Sequence, residues 1–276
     1  MAELSMNETT TFRWSFEEDV ACYAEAGIRA MGVWRQKLSD CGQTKARELL
    51  RRAGMKVSHL LWAGGFTGSD GRSYRESLED AGEALRTAAA LGAETLVVYS
   101  GPRAGHTFNH ARRLIQGALA ELAPRAAELG VTLAIEPMHP GCAAEWTFLT
   151  TLDDTLALLE AVASPQVKMV LDTYHLGQDE GFVERVAKIV PQVAIVQLGD
   201  ARRPPGGEQN RCRLGEGVVP LGAIVAALKA GGYDGYYDVE LLGEEVETAD
   251  YQSLLEHAKE AFGRLVASKA HAHRLA

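Results

Sequence analysis

The segment "VKMVLDTYHLG", residues 167–177, reads as a buried β-strand that ends in charged and polar residues. Its first five residues are apolar except for one lysine, and Asp172, Tyr174 and His175 follow. A nearly continuous apolar run is typical of a strand in a parallel sheet, because both faces of such a sheet are covered. The unusual feature is therefore the carboxylate and imidazole at the end of a core strand.

Seven further strand-like runs lie on either side of this segment, at residues 4–6, 28–34, 56–62, 94–100, 131–138, 192–200 and 235–242. Between them lie helical patterns such as 15–27, 74–92 and 108–130, in which apolar residues recur at intervals of three and four. Several of these patterns end in Gly, which is preferred just beyond a helix C-terminus. Strands alternating with amphipathic helices indicate a parallel sheet covered by helices.

Closure of the eight strands into a (β/α)₈ barrel is the simplest arrangement, and its usual length of about 250 residues fits this chain. We therefore predict a single α/β barrel domain over residues 1–276, with a frayed tail at about 269–276. The alternative is an open doubly wound sheet, which usually carries a glycine-rich turn after its first strand. Here that strand is followed by "NETTTF", which contains no glycine.

The composition of the chain disfavours several classes of function. The net charge of −9 disfavours a nucleic-acid partner, because binding to phosphates relies on Lys and Arg. No apolar run approaches the roughly 20 residues of a membrane span, and no signal peptide is evident. The four cysteines form no CxxC pair, which argues against a zinc knuckle. We expect a cytoplasmic protein.

Each of the last four strands ends in a polar group that can bind a metal: Glu136, Asp172, Gln197 and Glu240. In a barrel these ends converge on one face, where active sites are built. Three carboxylates crowded there repel one another unless they take up protons or surround a cation. Oxygen ligands suit a hard ion such as Mn²⁺ or Mg²⁺, whereas zinc usually prefers nitrogen or sulfur. For any one carboxylate, a helix cap or an ion pair is the alternative.

Successive motifs in residues 131–242 resemble the sugar phosphate isomerase/epimerase superfamily, also called xylose isomerase-like TIM barrels. They are "IEPMHP", "LDTYH", "VQLGD" followed by Arg203, "GEG" at 215–217, and "GYDGYYDVEL". The superfamily includes ketose 3-epimerases, hydroxypyruvate isomerases, inosose dehydratases and endonuclease IV. The earlier half of the chain is similar only in its fold pattern.

The resemblance implies that the four polar strand ends hold one divalent metal, with Mn²⁺ preferred and Mg²⁺ or Co²⁺ as alternatives. Gln197 stands where the epimerase branch has His, as in the hydroxypyruvate isomerase-like branch. The resemblance further implies that Glu136 and Glu240 transfer protons next to a carbonyl, through a metal-stabilised enediolate. His175 is expected to donate a hydrogen bond to a substrate oxygen, with an ordinary loop histidine as the alternative.

Other candidates have more than one interpretation. Arg203 matches the substrate-contacting arginine of the family, although the adjacent Arg202 is an alternative. Trp34 and Trp62 end the second and third strands, where they either stack on a sugar or pack in the rim. Asp200 either orients a metal ligand from behind or caps the next segment.

His59 lies inside an apolar strand, so we expect a hydrogen-bonded core histidine. No role is assigned to His271 and His273, or to the loops at 63–73, 101–107 and 202–214.

The leading hypothesis is a metal-dependent isomerase or 3-epimerase acting on a small sugar or sugar-like keto compound. A lyase on the same scaffold, such as an inosose or dehydroshikimate-type dehydratase or a C-glycoside deglycosidase, is the main alternative. An endonuclease IV-like phosphodiesterase and a non-catalytic sugar-binding barrel are weaker ones. The sequence leaves open whether the protein forms a homo-oligomer.

Overall fold

A computed structural model describes residues 2–207 and 209–267 of the chain. Eight parallel strands form a closed barrel, as predicted, because β1 pairs with β2 on one side and with β10 on the other. The barrel strands are β1 (Glu3–Asn7), β2 (Ala30–Trp34), β3 (Lys56–Gly64), β4 (Thr95–Tyr99), β5 (Thr132–Ile135), β6 (Val167–Asp172), β7 (Val193–Leu198) and β10 (Tyr236–Val239). The predicted frayed tail, with His271 and His273, lies outside the described residues.

Helices surround the barrel. They are α1 (Phe16–Glu25), α2 (Arg35–Cys41), α3 (Gln43–Ala53), α4 (Tyr74–Leu91), α5 (Phe108–Leu129), α6 (Leu152–Val162), α7 (Thr173–Leu176), α8 (Phe182–Ile189), α9 (Leu221–Ala230), α10 (Glu244–Glu247) and α11 (Tyr251–Ala267), with a 3₁₀ turn at Val190–Gln192. Local sequence sets their ends: Ser15 and Ser73 form capping boxes at the starts of α1 and α4. Gly92 and Gly130 end α4 and α5 in the left-handed conformation that glycine tolerates.

The barrel separates two apolar regions. The larger core packs strands against helices, while a smaller cluster fills the interior and consists of Ala30, Leu61, Val97, Ala134, Val170, Ile195 and Tyr236. Successive strand residues point to opposite faces, so residues two positions beyond this interior cluster also point inward. This alternation places the polar strand ends inside the barrel mouth.

A short antiparallel hairpin, absent from the predicted pattern, interrupts the connection after β7. Its strands are β8 (Asp200–Ala201) and β9 (Arg211–Cys212). The carboxylate of Asp200 accepts hydrogen bonds from the backbone N–H groups of Ala201, Gly215, Gly217 and Val219, at 2.8–3.1 Å. Asp200 therefore organises its own loop. The prediction that it orients a metal ligand is not supported, because its hydrogen bonds go to this backbone.

Within the described residues, no helix combines the length and apolar character needed to cross a membrane.

Gly64, at the end of β3, lies very close to the backbone of the neighbouring strand β4. Its φ is +144°, and a Cβ there would lie 2.0 Å from the carbonyl oxygen of Tyr99. We expect Gly64→Ala to lower the free energy of unfolding by about 2 kcal/mol or more, because both strain and the clash oppose folding. Urea denaturation measures this. Gly222→Ala is the control, since a Cβ meets open space on helix α9. Equal losses in the two variants would contradict the packing described here.

Candidate active site

The four polar strand ends meet at the barrel mouth. Glu136 directly follows β5, Asp172 ends β6, Gln197 lies beside Asp172 in register on β7, and Glu240 directly follows β10. All four side chains are buried, with at most 3% of their surface exposed. Each lies two or four positions beyond a member of the interior apolar cluster, which is why they all point inward.

Burial and mutual repulsion perturb the two glutamates. Burial, followed by the carboxylates of Glu240 and Asp172, raises the pKa of Glu136 well above its ordinary value. Burial also raises the pKa of Glu240 to about 7, with Asp172 acting in the same direction and Arg211 against it. Carboxyl groups whose pKa values are raised in this way are suited to acid–base catalysis.

Arg211, at the start of β9, is the cation of this cluster, and sequence reasoning missed it. Its Nη2 lies 2.8 Å from Oδ2 of Asp172, and its Nη1 donates to the carbonyl oxygen of Glu240 at 3.1 Å. The guanidinium lies 4.5 Å from the ring centroid of Tyr174. By contrast, Arg203 is exposed, so its predicted contact with substrate has no support from its position.

The alternative arginine, Arg202, is also exposed, and it pairs with Glu216 and Glu245.

The donor set fits a divalent cation. Three carboxylates and one guanidinium leave two negative charges when all are ionised. Among the described residues, Oε2 of Glu240 and both amide atoms of the buried Gln197 have no hydrogen-bond partner. Buried polar atoms left unpaired cost free energy, so they indicate a missing partner. An ion of charge +2 would balance the charge and use these oxygens.

His175, in the short helix α7, lies between two of the carboxylates. Its Nε2 is 3.9 Å from Oε1 of Glu136 and 3.9 Å from Oδ2 of Asp172, close enough for the three to share a metal. However, Nδ1 accepts a hydrogen bond from the backbone N–H of His139 at 3.3 Å. Burial lowers the pKa of His175 to about 3, so the ring is neutral. Its proton is therefore assigned to Nε2, which makes this nitrogen a hydrogen-bond donor in this tautomer.

Two threonines that follow β1 hold Glu240 in place. Thr10 Oγ1 accepts from the N–H of Leu241 at 2.8 Å and donates to the carbonyl of Val239 at 3.2 Å, which fixes the backbone on both sides of Glu240. Thr9 Oγ1 lies 3.4 Å from Oε1 of Glu240. Both residues belong to the "NETTTF" segment, which contains none of the predicted site residues.

A buried network of polar side chains supports Glu240. Asn7 Oδ1 accepts from Thr9 Oγ1 at 2.7 Å, while its Nδ2 donates to Asp238 at 2.8 Å. Ser5 donates to the same carboxylate at 2.6 Å. His59 is buried beside this network, 2.9 Å from Ser58 Oγ, and it is the hydrogen-bonded core histidine that was predicted.

Trp34 and Trp62 lie at the mouth, together with Trp146 from the loop after β5. They line one cavity with residues of the β1 and β10 loops. Their position is compatible with the predicted substrate contact, and their role remains a prediction.

Comparison with known proteins now identifies the family. A family model described as xylose isomerase-like TIM barrel matches residues 20–261. The chain belongs to this family. The resemblance inferred from the motifs is thereby confirmed, and the match extends well into the N-terminal half.

Among curated relatives, an inosose isomerase of Bacillus velezensis is 24% identical over 270 residues, covering 94% of this chain and 95% of that protein. A ketose 3-epimerase of Arthrobacter globiformis is 28% identical over 141 residues, covering 51% and 45%. A crystal structure of a Sinorhizobium meliloti protein is 28% identical, with a TM-score of 0.88 and coverage of 95% and 98%. The IOLI protein with bound zinc shares the fold, with a TM-score of 0.84, 21% identity and coverage of 96% and 98%.

The Arg211 ion pair can be tested against a matched surface arginine. Arg211→Met leaves Asp172 buried without its counter-charge, and we expect the free energy of unfolding of metal-free protein to fall by about 3–5 kcal/mol. Arg203→Met removes an exposed guanidinium and should change it by less than about 0.5 kcal/mol. Chemical denaturation in the presence of a chelator measures both. Similar losses in the two variants would contradict the placement of these arginines.

The raised pKa values of Glu136 and Glu240 predict a pH dependence in metal-free protein. Because the folded state holds protons that the unfolded chain releases above its ordinary pKa, stability should fall as pH rises from about 4.5 through 7. We expect a melting temperature several degrees lower at pH 8 than at pH 5, since 1 kcal/mol corresponds to about 2–4 °C in a chain of this size. Thermal scans measure it. Glu240→Gln should flatten the profile, and an unchanged profile would contradict the assignment.

Proposed function

We propose that the protein is a divalent-metal-dependent sugar isomerase or epimerase that transfers a proton at a carbon next to a carbonyl. The observation that carries the proposal is the pair of buried glutamates, Glu136 and Glu240, which lie in one unbalanced acidic cluster that raises the pKa values of both carboxyls. The prediction of an isomerase or epimerase enzyme is confirmed at the level of class by the relatives, which are an inosose isomerase and ketose 3-epimerases.

Glu136, Asp172, Gln197 and Glu240 would hold the metal, as the resemblance implies. A divalent ion supplies Lewis-acid polarisation of a substrate carbonyl and lowers the cost of removing the adjacent proton. The all-oxygen donor set favours Mn²⁺, with Mg²⁺ or Co²⁺ next. Zinc is also considered, because the similar IOLI structure binds it, although that likeness of 21% identity extends to the fold alone.

The remaining steps belong to side chains. One of the two glutamates removes the proton from the carbon next to the carbonyl. The other delivers a proton, either to the opposite face of the same carbon, which gives the epimer, or to the former carbonyl carbon, which gives the isomer. Thr9 and Thr10 hold Glu240, whose Oε2 has no hydrogen-bond partner among the described residues. The N–H at Nε2 of His175, next to Glu136, donates to the substrate oxygen on which negative charge develops.

The rim of the mouth favours an uncharged substrate. A cavity of about 840 Å³ beside the site is lined by Glu145, Glu244 and Glu247, and no Lys or Arg is among its lining residues. A phosphate group there would meet like charge without a partner cation. We therefore propose an unphosphorylated sugar or sugar-like keto compound.

Elimination by the same proton abstraction is the competing outcome. A lyase would expel a leaving group after proton removal, whereas an isomerase returns a proton. The isomerase and epimerase relatives support return of the proton. Solvent labelling separates the outcomes, because deuterium enters a product of unchanged composition only when a proton is returned from solvent.

The test uses purified protein stripped with a chelator and reloaded separately with Mn²⁺, Mg²⁺, Co²⁺ or Zn²⁺. Inososes and ketoses are incubated in deuterated buffer and followed by NMR. We expect metal-dependent deuterium exchange next to the carbonyl, and a loss of at least about 100-fold in Glu136→Gln and in Glu240→Gln. Glu128→Gln, an exposed carboxylate on α5, is the control. Full activity without metal, full activity in both site variants, or net loss of water from the substrate would contradict the proposal.

A further inference from the structure

Aromatic side chains concentrate in one cavity at the barrel mouth. Three of the four tryptophans in the chain, Trp34, Trp62 and Trp146, line a cavity of about 330 Å³. The other lining residues are Thr9, Phe12, Leu241, Leu242, Gly243, Val246 and Glu247. Phe12 and Trp146 are the large apolar side chains that keep 41% and 37% of their surface exposed here. Exposed aromatic surface in a concave site is typical of ligand binding.

The cavity adjoins the acidic cluster. Thr9, one of its lining residues, has its Oγ1 3.4 Å from Oε1 of Glu240, and Leu241 is the next residue in the chain. On the other side, Trp62 packs against the interior apolar cluster, whose member Ala134 lies two residues before Glu136. A molecule whose reacting carbon lies between the two glutamates therefore has its far end beside the tryptophans.

The cavity walls are held in place by their surroundings. Trp146 packs 5.4 Å from Trp62 and edge-on to Tyr99 at 5.7 Å, between ring centroids. The backbone N–H of Trp34 donates to the buried carboxylate of Glu8 at 2.6 Å. The aromatic walls are thus formed before a ligand binds, which reduces the entropy cost of binding.

The chemistry of these walls favours an apolar occupant over a fully hydroxylated one. Besides the indole N–H groups, of which that of Trp62 has no hydrogen-bond partner, only Thr9 and Glu247 contribute polar side-chain groups to the described lining, and the Thr9 proton is already donated to Asn7. Hydroxyl groups buried against indole and aliphatic surface without partners disfavour binding. A flat apolar group instead stacks on the rings and removes apolar area from water.

We infer that the substrate is a sugar-like keto compound carrying an apolar substituent, an aryl or branched alkyl group, which binds between Trp34, Trp62 and Trp146. This inference rests on the proposed function, because it assigns the reacting end of the molecule to Glu136 and Glu240. The partly open side at Phe12 and Trp146 lets a longer substituent extend into solvent.

The test measures binding directly, through quenching of intrinsic tryptophan fluorescence and through calorimetry on the metal-loaded protein. The probes are the phenyl and methyl β-glycosides of one sugar. We expect the phenyl glycoside to bind at least about 10-fold more tightly, because its ring both stacks on the aromatic wall and removes apolar area from water. Trp146→Ala should remove most of this preference, and Trp146→Phe should retain part of it.

Trp14→Phe is the matched control, because Trp14 packs against Tyr251 and is absent from the cavity lining. It should keep the phenyl preference. Equal affinity for the two probes, or no binding of the phenyl glycoside at millimolar concentration, would overturn the inference. A concentration-dependent dimer in sedimentation velocity that disappears in Trp146→Ala would also overturn it, since a second copy of the chain would then occupy the cavity.

Failure of this inference differs from failure of the proposed function. If ketoses or inososes exchange deuterium in a metal-dependent way while the phenyl preference is absent, the reaction stands and the aromatic subsite does not. If the phenyl preference depends on Trp146 but no substrate exchanges deuterium, the aromatic site stands and the proposed reaction fails.

Discussion

The excess of negative charge inside the barrel mouth is the constraint on which the site depends. Glu136, Asp172 and Glu240 point inward because each follows the interior layer by an even number of residues, and burial prevents water from screening them. Arg211 balances one charge through its contact with Asp172. The remaining two charges must be balanced by protons or by a cation. The raised pKa values of the glutamates correspond to the first solution, balance by protons. A divalent ion provides the second solution, because it balances the two charges without requiring both glutamates to hold protons.

Residues that follow β1, the strand that closes the barrel against β10, support this site. Strand β1 pairs with β10, so the residues that follow β1 lie beside Glu240 although more than 200 positions separate them in sequence. Thr10 fixes the backbone of Glu240, and Thr9 connects its side chain to Asn7 and from there to Asp238. Such a network limits the orientations of a catalytic carboxylate, as a precise active site requires. The strand pairing that closes the barrel therefore also positions the groups of the site.

The sequence was sufficient for the parts of the site that depend on periodicity. Eight strands, and the inward direction of the four polar strand ends, follow from the pattern of apolar residues, and the structure agrees. Arg211 was missed because it reaches the cluster from an antiparallel hairpin of two-residue strands, whose register no periodic pattern reveals. Arg203 was preferred on motif position, yet its side chain is exposed. The role of Asp200 was ambiguous because its partners are backbone N–H groups of a loop, and backbone contacts leave no trace in residue type.

The loops that follow the barrel strands divide the mouth into an acidic side and an aromatic side. The loop after β5 carries both Glu145 and Trp146 on adjacent positions, and the two side chains line the acidic cavity together. Trp146 also lines the aromatic cavity, so this residue separates the two environments. Since barrel strands fix the reacting groups while loops fix what surrounds them, substrate choice can change without altering the carboxylates. Under the proposed function, a substitution at position 146 would therefore change substrate choice while leaving the carboxylates in place.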